Sequence, residues 1–179
     1  MREEEKELVK KAQKGDSGAF GNLYDKYLPG IYRFVILKVG HRADAEDLSH
    51  QVFMNAWQNI NKFEFQGFPF SSWLYRIASN AVIDFWRTKK NPLSIDLIPE
   101  DSLKDDSKIE LALDNKMGVE TIKSALTKLE GDQQDIIIMK FVNELSNKEI
   151  AEILNKTEGA VRVIQHRALK QLKKHINFS

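Results

Sequence analysis

The chain has 179 residues, 42% hydrophobic and 30% charged, with a formal net charge of +1 and no cysteine. That balance suits one folded domain or two small ones and excludes a disordered chain, while the lack of cysteine excludes disulfides and thiolate zinc sites. No apolar run approaches the roughly 18 residues of a membrane span, and MREEEKELVKK lacks the apolar core of a signal peptide, so a cytoplasmic protein without membrane insertion is expected.

Apolar spacing is helical almost throughout, with no bounded period-two alternation. It predicts helices over about 3–14, 17–27, 30–39, 43–60, 71–87, 108–128, 132–143, 146–154 and 158–174. Breaks fall at Gly15-Asp16, Pro29-Gly30, Gly40, the Gly67/Pro69 loop, Gly131-Asp132 and Asn155. The expected fold class is all-α: two small helical domains, 1–88 and 109–179, joined by a flexible acidic linker at 89–108, the second domain a helix-turn-helix. Leu93 to Glu110 holds six acids against Lys104 and Lys108, whereas Lys156 to Ser179 holds six Lys/Arg against Glu158. This segregation, rather than the overall charge, suggests a polyanion partner for the C-terminal end.

In chain order, the first informative stretch is DAEDLSHQVFMNAW, Asp44 to Trp57. Leu48, Val52, Ala56 and Trp57 share one helix face, and Asp44, Asp47, Gln51 and Asn55 the other. The carboxylates Asp44, Glu46 and Asp47 have no histidine or second acidic cluster to make a metal site, and acids are favoured near helix N-termini anyway. A docking face for a basic protein partner is the better reading, and no metal is expected.

The next stretch, FEFQGFPFSSWLYRIASNAVIDFWR from Phe63 to Arg87, holds eight of the chain's 17 aromatic residues. Phe63, Phe65, Phe68 and Phe70 crowd the loop before a helix. Any one of them could pack into a core; four in one short loop argue for a surface. On the helix, Leu74, Ile77, Ala78, Ala81, Val82 and Phe85 form the core side. Arg76, Ser79, Asn80, Ile83 and Arg87 lie opposite, flanked by Trp73 and Trp86. Arginine neutralises phosphate, asparagine hydrogen-bonds base edges and exposed rings stack on unpaired bases, which suits melted DNA.

In LSNKEIAEILNKTEGAVRVIQHRALKQLKK, Leu145 to Lys174, Ser146 and Glu149 form a capping box. Ile150, Ile153 and Leu154 face inward, and Thr157 caps a second helix from Glu158. Two short helices joined by a tight turn are a helix-turn-helix. Val161, Ile164, Ala168, Leu172 and Ile176 make one stripe of the second helix. Arg162, Val163, His166, Arg167, Lys170, Lys173 and Lys174 make the other. Arg162 can pair with guanine and Val163 can touch a thymine methyl; Lys170, Lys173 and Lys174 suit phosphates.

Together these segments resemble the extracytoplasmic-function sigma factors, the smallest class of bacterial RNA polymerase specificity subunits. KKAQKGDSGAFGNLYDKY is similar to the family's opening helices, and DAEDLSHQVFMNAW to its segment that binds the polymerase core. FSSWLYRIASNAVIDFWR is similar to the element that recognises the minus-ten promoter region, and LSNKEIAEILNKTEGAVRVIQHRALKQL to the one that reads minus-thirty-five.

The resemblance implies core polymerase contacts at Asp44, Asp47, His50, Gln51 and Asn55. For minus-ten it implies Phe63, Phe65, Phe68, Phe70, Ser71, Trp73, Arg76, Asn80 and Arg87, with the loop capturing a flipped-out base of the melted non-template strand. For minus-thirty-five duplex it implies Thr157, Arg162, Val163, His166, Arg167 and Lys170. It further implies an acidic linker threaded into the polymerase, restraint by a separate anti-sigma protein, no cofactor and no enzymatic activity. Gln51 stands where the family commonly has an acid, Val163, Ile164 and Gln165 depart from its usual recognition-helix pattern, and Pro69 is unusual in the loop.

Two other classes compete. A stand-alone helix-turn-helix regulator would need a dimer interface and a palindromic operator, and it has no use for a strand-opening aromatic loop. An enzyme would need reactive groups that His41, His50, His166 and His175, scattered and without a glycine-rich phosphate loop, do not supply.

Overall fold

A computed structural model describes residues 3–65, 67–90 and 124–175, and all the regular structure among them is helical. The N-terminal half contains α1 (Glu3–Gln13), α2 (Ser17–Val39), α3 (Arg42–Asn59) and α4 (Phe70–Lys90). The C-terminal half contains α5 (Gly131–Ile137), which runs into a π-helical turn at Ile138–Val142, then α6 (Asn147–Ile153) and α7 (Glu158–His175). The acidic segment 91–110 and most of the helix expected over 108–128 lie outside the described residues. α4 continues to Lys90, two residues into the segment expected to be linker.

The helix ends follow local chemistry. Asp16 caps α2 by accepting from the Ala19 amide at 2.9 Å, satisfying a donor that the first turn leaves free. Gly40 ends α2 in the left-handed conformation, φ 78°, its amide returning to the Ile36 carbonyl. Ser146 and Glu149 form the expected capping box at α6, with both reciprocal hydrogen bonds present. Thr157 Oγ1 accepts from the Ala160 amide at 3.1 Å, opening α7.

One expected break is absent. Pro29-Gly30 does not divide two helices; it sits inside the single helix α2. An interior proline costs a helix about 3 kcal/mol or more. Here Leu23, Ile31, Phe34 and Val35, on both sides of it, are fully buried, and their packing holds the helix through the proline. Gly30 also permits a close approach: a β-carbon there would lie 2.8 Å from the Tyr75 hydroxyl oxygen.

α2 is the centre of the N-terminal half, packed by α1, α3 and α4. Phe34 meets Tyr75 of α4 edge to face at 5.8 Å, and Phe20 and Tyr24 meet Phe53 of α3. In the C-terminal half, α7 lies across α5 and α6. The buried residues of both halves belong to one continuous apolar cluster, because α4 and α2 also pack on the C-terminal half.

Candidate nucleic-acid interface

The aromatic loop is rooted at both ends. After α3, one 3-10 turn (Ile60–Lys62) leads into it, and Gln13 of α1 donates its side-chain amide to the carbonyls of Ile60 and Phe63 at 3.1 and 2.8 Å. Phe63 is 6% exposed and Phe70 wholly buried; their rings meet edge to face at 5.3 Å. Trp73, half-buried, leans on both at 5.4 and 5.5 Å. The expectation that all four phenylalanines form a surface is therefore corrected for Phe63 and Phe70, which are core. They are the anchors that seat the loop; of the rings between them, Phe65 meets Phe63 edge to face at 4.9 Å and Phe68 lies under the Lys148 ammonium, 5.7 Å from the ring centre.

Those two, Phe65 and Phe68, are half-buried and line a cleft of about 650 Å³ with Gly67, Pro69 and Ser71. Gly67 has φ 88°, a left-handed conformation that glycine adopts without strain. The cleft also reaches Glu5, Lys6 and Tyr27 of the N-terminal half and Lys148 and Glu149 of α6. Glu5 is buried and paired with Lys26 at 2.5 Å. Burial, reinforced by the Glu5 carboxylate, pushes the Tyr27 phenol above its ordinary range, so it remains a neutral hydrogen-bonding group.

On α4 the expected core positions Leu74, Ala78 and Val82 are buried, and Asn80, Ile83 and Arg87 are exposed. Arg87 reaches back to Asp84 at 3.3 Å. Ser79 departs from expectation: its hydroxyl is buried, 3.3 Å from Asp135 of α5. Arg76 likewise faces the C-terminal half, 2.9 Å from the Glu152 carboxylate. A helical wheel of α4 alone shows one buried side; the structure has a second, against the other half of the chain.

On α3, Asp47, His50, Gln51 and Asn55 are exposed along one face. His50 Nδ1 is 3.1 Å from the Tyr24 hydroxyl, and Asn55 accepts from Asn59. Asp44 is partly buried instead, held by Lys89 at 3.0 Å. Sequence reasoning missed Met54, 62% exposed in the middle of this face. Its place beside His50 and Gln51 on the helix was the available signal, because a large apolar side chain left in water among polar neighbours marks an interaction surface. No group of three or more His, Asp and Glu side chains able to hold a metal occurs among the described residues.

The helix-turn-helix has the expected division. Val161 and Ala168 of α7 are buried, Ile164 and Leu172 half-buried, and Ile176 lies outside the described residues. Thr157, Arg162, Val163, His166, Arg167, Lys170, Lys173 and Lys174 are exposed. Val163 leaves half of its surface in water, and Arg162 makes only a loose contact, 3.5 Å, with Glu158 one turn back. The turn before α7 passes through Asn155 at φ 51°, a left-handed position that asparagine tolerates better than most residues.

Comparison with known proteins gives this geometry its context. Sigma-70 region 2 matches residues 23–91 and Sigma-70 region 4 matches residues 120–172. The chain is 33% identical to the ECF RNA polymerase sigma factor SigW of Bacillus subtilis, over 96% of each chain. It is 34% identical to the ECF RNA polymerase sigma factor BldN of Streptomyces coelicolor, over 93% of this chain but only 63% of that longer protein. Among solved structures, CnrH in complex with the cytosolic domain of CnrY shares the fold over 96% of both chains, with a TM-score of 0.75 at 21% identity. With both conserved regions present in order, and with relatives matched along nearly the whole sequence, the chain belongs to the ECF RNA polymerase sigma factor family.

Proposed function

We propose that this protein directs core RNA polymerase to a two-part promoter and helps to open it. The observation that carries this reading is the sequence of surfaces along one chain: a polar α3 face with Met54 exposed, then an aromatic cleft, and then a helix-turn-helix with an exposed basic face. The α3 residues Asp44, Asp47, His50, Gln51 and Asn55 dock on the polymerase. The loop and α4, through Phe65, Phe68, Ser71, Trp73, Arg76, Asn80 and Arg87, hold the melted non-template strand at minus-ten, with Phe63 and Phe70 setting the loop from below. Flipping a base into the cleft costs a few kcal/mol of unstacking, which ring stacking of about 1–3 kcal/mol per base offsets. Thr157, Arg162, Val163, His166, Arg167 and Lys170 read the minus-thirty-five duplex.

In this reading the domains are 1–88 and 109–179 with the linker 89–108 between them, the site of action is the cytoplasm, and the protein catalyses no reaction of its own. A separate anti-sigma protein restrains it; the sigma factor RpoE of Bartonella quintana, solved in complex with the anti-sigma factor NepR, has the same fold with a TM-score of 0.72 at 24% identity.

Co-elution with bacterial core RNA polymerase on a sizing column tests the reading. A stoichiometric complex is expected. Failure to form one, with a core preparation that accepts another sigma factor, would instead favour a stand-alone duplex-binding regulator.

A further inference from the structure

The cleft lined by Phe65 and Phe68 also carries four charges, and they are unequally engaged. Glu5 is 7% exposed and gives one carboxylate oxygen to the Lys26 ammonium at 2.5 Å. Glu149, on α6, is committed to the Ser146 amide and hydroxyl at 2.8 and 2.6 Å. Lys6 holds only Glu3, whose side chain is 86% exposed, and such a contact is worth little in water. Lys148 is exposed and makes no ion pair among the described residues; its ammonium stands over the Phe68 ring. The two acids are therefore satisfied within the protein, while the two ammoniums are left to solvent.

Glu5 leaves one group open. Its second oxygen, Oε1, is shut off from water and makes no hydrogen bond. Buried acceptors without a partner are rare and call for an explanation; a donor that arrives with a ligand supplies one. The cleft volume of about 650 Å³ falls within the usual range of small-molecule sites, about 300–1,000 Å³. Two half-buried rings, an acceptor lacking its donor and two ammoniums suit a planar ring that bears an amino group and an anion. A nucleoside phosphate has all three, and lysine serves phosphate well as a compact point charge.

We propose that this cleft binds a free nucleoside 5′-phosphate. Its base stacks on Phe65 and Phe68 with the amino group toward Glu5 Oε1, and its phosphate lies on Lys148 and Lys6. The proposal rests on the reading of the cleft as the seat of an unpaired base, and goes beyond it in two respects. The ligand is a small soluble molecule rather than a strand, and Lys148 has no part in the strand site. The incoming base displaces the ammonium from Phe68, exchanging a cation–π contact for a stack, and the released ammonium turns to the phosphate. Nucleotide and strand then compete for the same rings.

Adenosine 5′-monophosphate, titrated into the full-length chain and followed by amide chemical shifts, should saturate with a dissociation constant on the order of 0.1–1 mM. The shifts should gather around Gly67, Phe68 and Lys148. Phe68→Ala should weaken binding at least about fivefold. Lys148→Ala should weaken it by about fivefold yet leave binding of adenosine, which lacks the phosphate, unchanged. The same variant should bind a fluorescein-labelled single-stranded DNA of mixed sequence as the parent does, and the nucleotide should displace that DNA from the parent. Inosine 5′-monophosphate, with a carbonyl in place of the amine, should bind about fivefold more weakly.

No saturation up to about 10 mM, with Phe68→Ala still weakening the DNA complex, overturns the nucleotide site and leaves the strand reading standing. Saturation that neither variant alters, with shifts gathered on α7, puts the phosphate on the basic face of the helix-turn-helix and also overturns it. Equal binding of the adenosine and inosine nucleotides removes the base from Glu5 and overturns the arrangement proposed. If Phe68→Ala affects neither nucleotide nor DNA, the strand reading fails and the nucleotide site falls with it.

Discussion

The two helices proposed to face nucleic acid, α4 and α7, are built differently. α7 buries one stripe, centred on Val161 and Ala168, and leaves its basic side in water. α4 buries Leu74, Ala78 and Val82 on its own half and Ser79 against the other, with Arg76 tied to Glu152. A helix that meets one neighbour can be read from its own periodicity. A helix that meets two cannot, because a serine or an arginine on its second side looks the same in sequence whether water or a carboxylate faces it.

The sharpest way to test this contrast lies within the aromatic loop. Phe70→Ala should cost about 3–5 kcal/mol of stability, as truncation of a buried phenylalanine does, measured by denaturant unfolding. Phe68→Ala should barely move the unfolding midpoint yet lose about 1–3 kcal/mol of strand binding. Equal stability losses in the two variants would place Phe68 in the core.

On α7, Arg162→Ala should weaken duplex recognition by about 1–3 kcal/mol and relax preference at one base pair, whereas Lys170→Ala should weaken all duplexes alike and lower the salt slope by about one. A uniform loss for Arg162 would make it a phosphate contact. At the entrance to α6, Ser146→Ala removes half of the capping box and should cost about 1 kcal/mol, read as a lower thermal midpoint with strand binding unchanged.

The smallest effect is one of pH. Burial raises the Asp135 carboxyl above its ordinary value, against the opposing pull of Lys38 and Ser79. A group whose folded value is raised contributes its stability below the unfolded value and loses it as pH rises through the folded one. Stability should therefore decline gradually as pH climbs from the ordinary carboxyl value of 3.8, and Asp135→Asn should flatten that slope in a pH series of unfolding curves.

Where chemistry is local, the sequence was a good guide. The Ser146–Glu149 box, the Thr157 cap and the stripe on α7 each depend on residues within a turn or two of one another, and all three stand as expected. The outward line Asp47, Gln51 and Asn55 on α3 was equally legible, while Asp44 was drawn inward by Lys89, 45 residues away. The misses share that cause. Pro29 was tolerated because of packing on both sides of it, and Phe63 and Phe70 were core because each met the other and Trp73. Ser79 was buried by a residue 56 positions later. None of these partners can be identified from spacing along one helix.

The meeting of Gly30, Tyr75 and Asn143 has a consequence for how such a chain can diverge. A single methyl group at position 30 would press on the Tyr75 hydroxyl at 2.8 Å, deep in the N-terminal half, while meeting the Asn143 amide only at ordinary contact distance, 3.8 Å. The path through sequence space is therefore narrow here: alanine at position 30 becomes acceptable only after Tyr75 has lost its hydroxyl, as in Tyr75→Phe. Positions 30 and 75, far apart in the chain, are expected to drift as one unit, and the order in which their changes arise decides which intermediates survive.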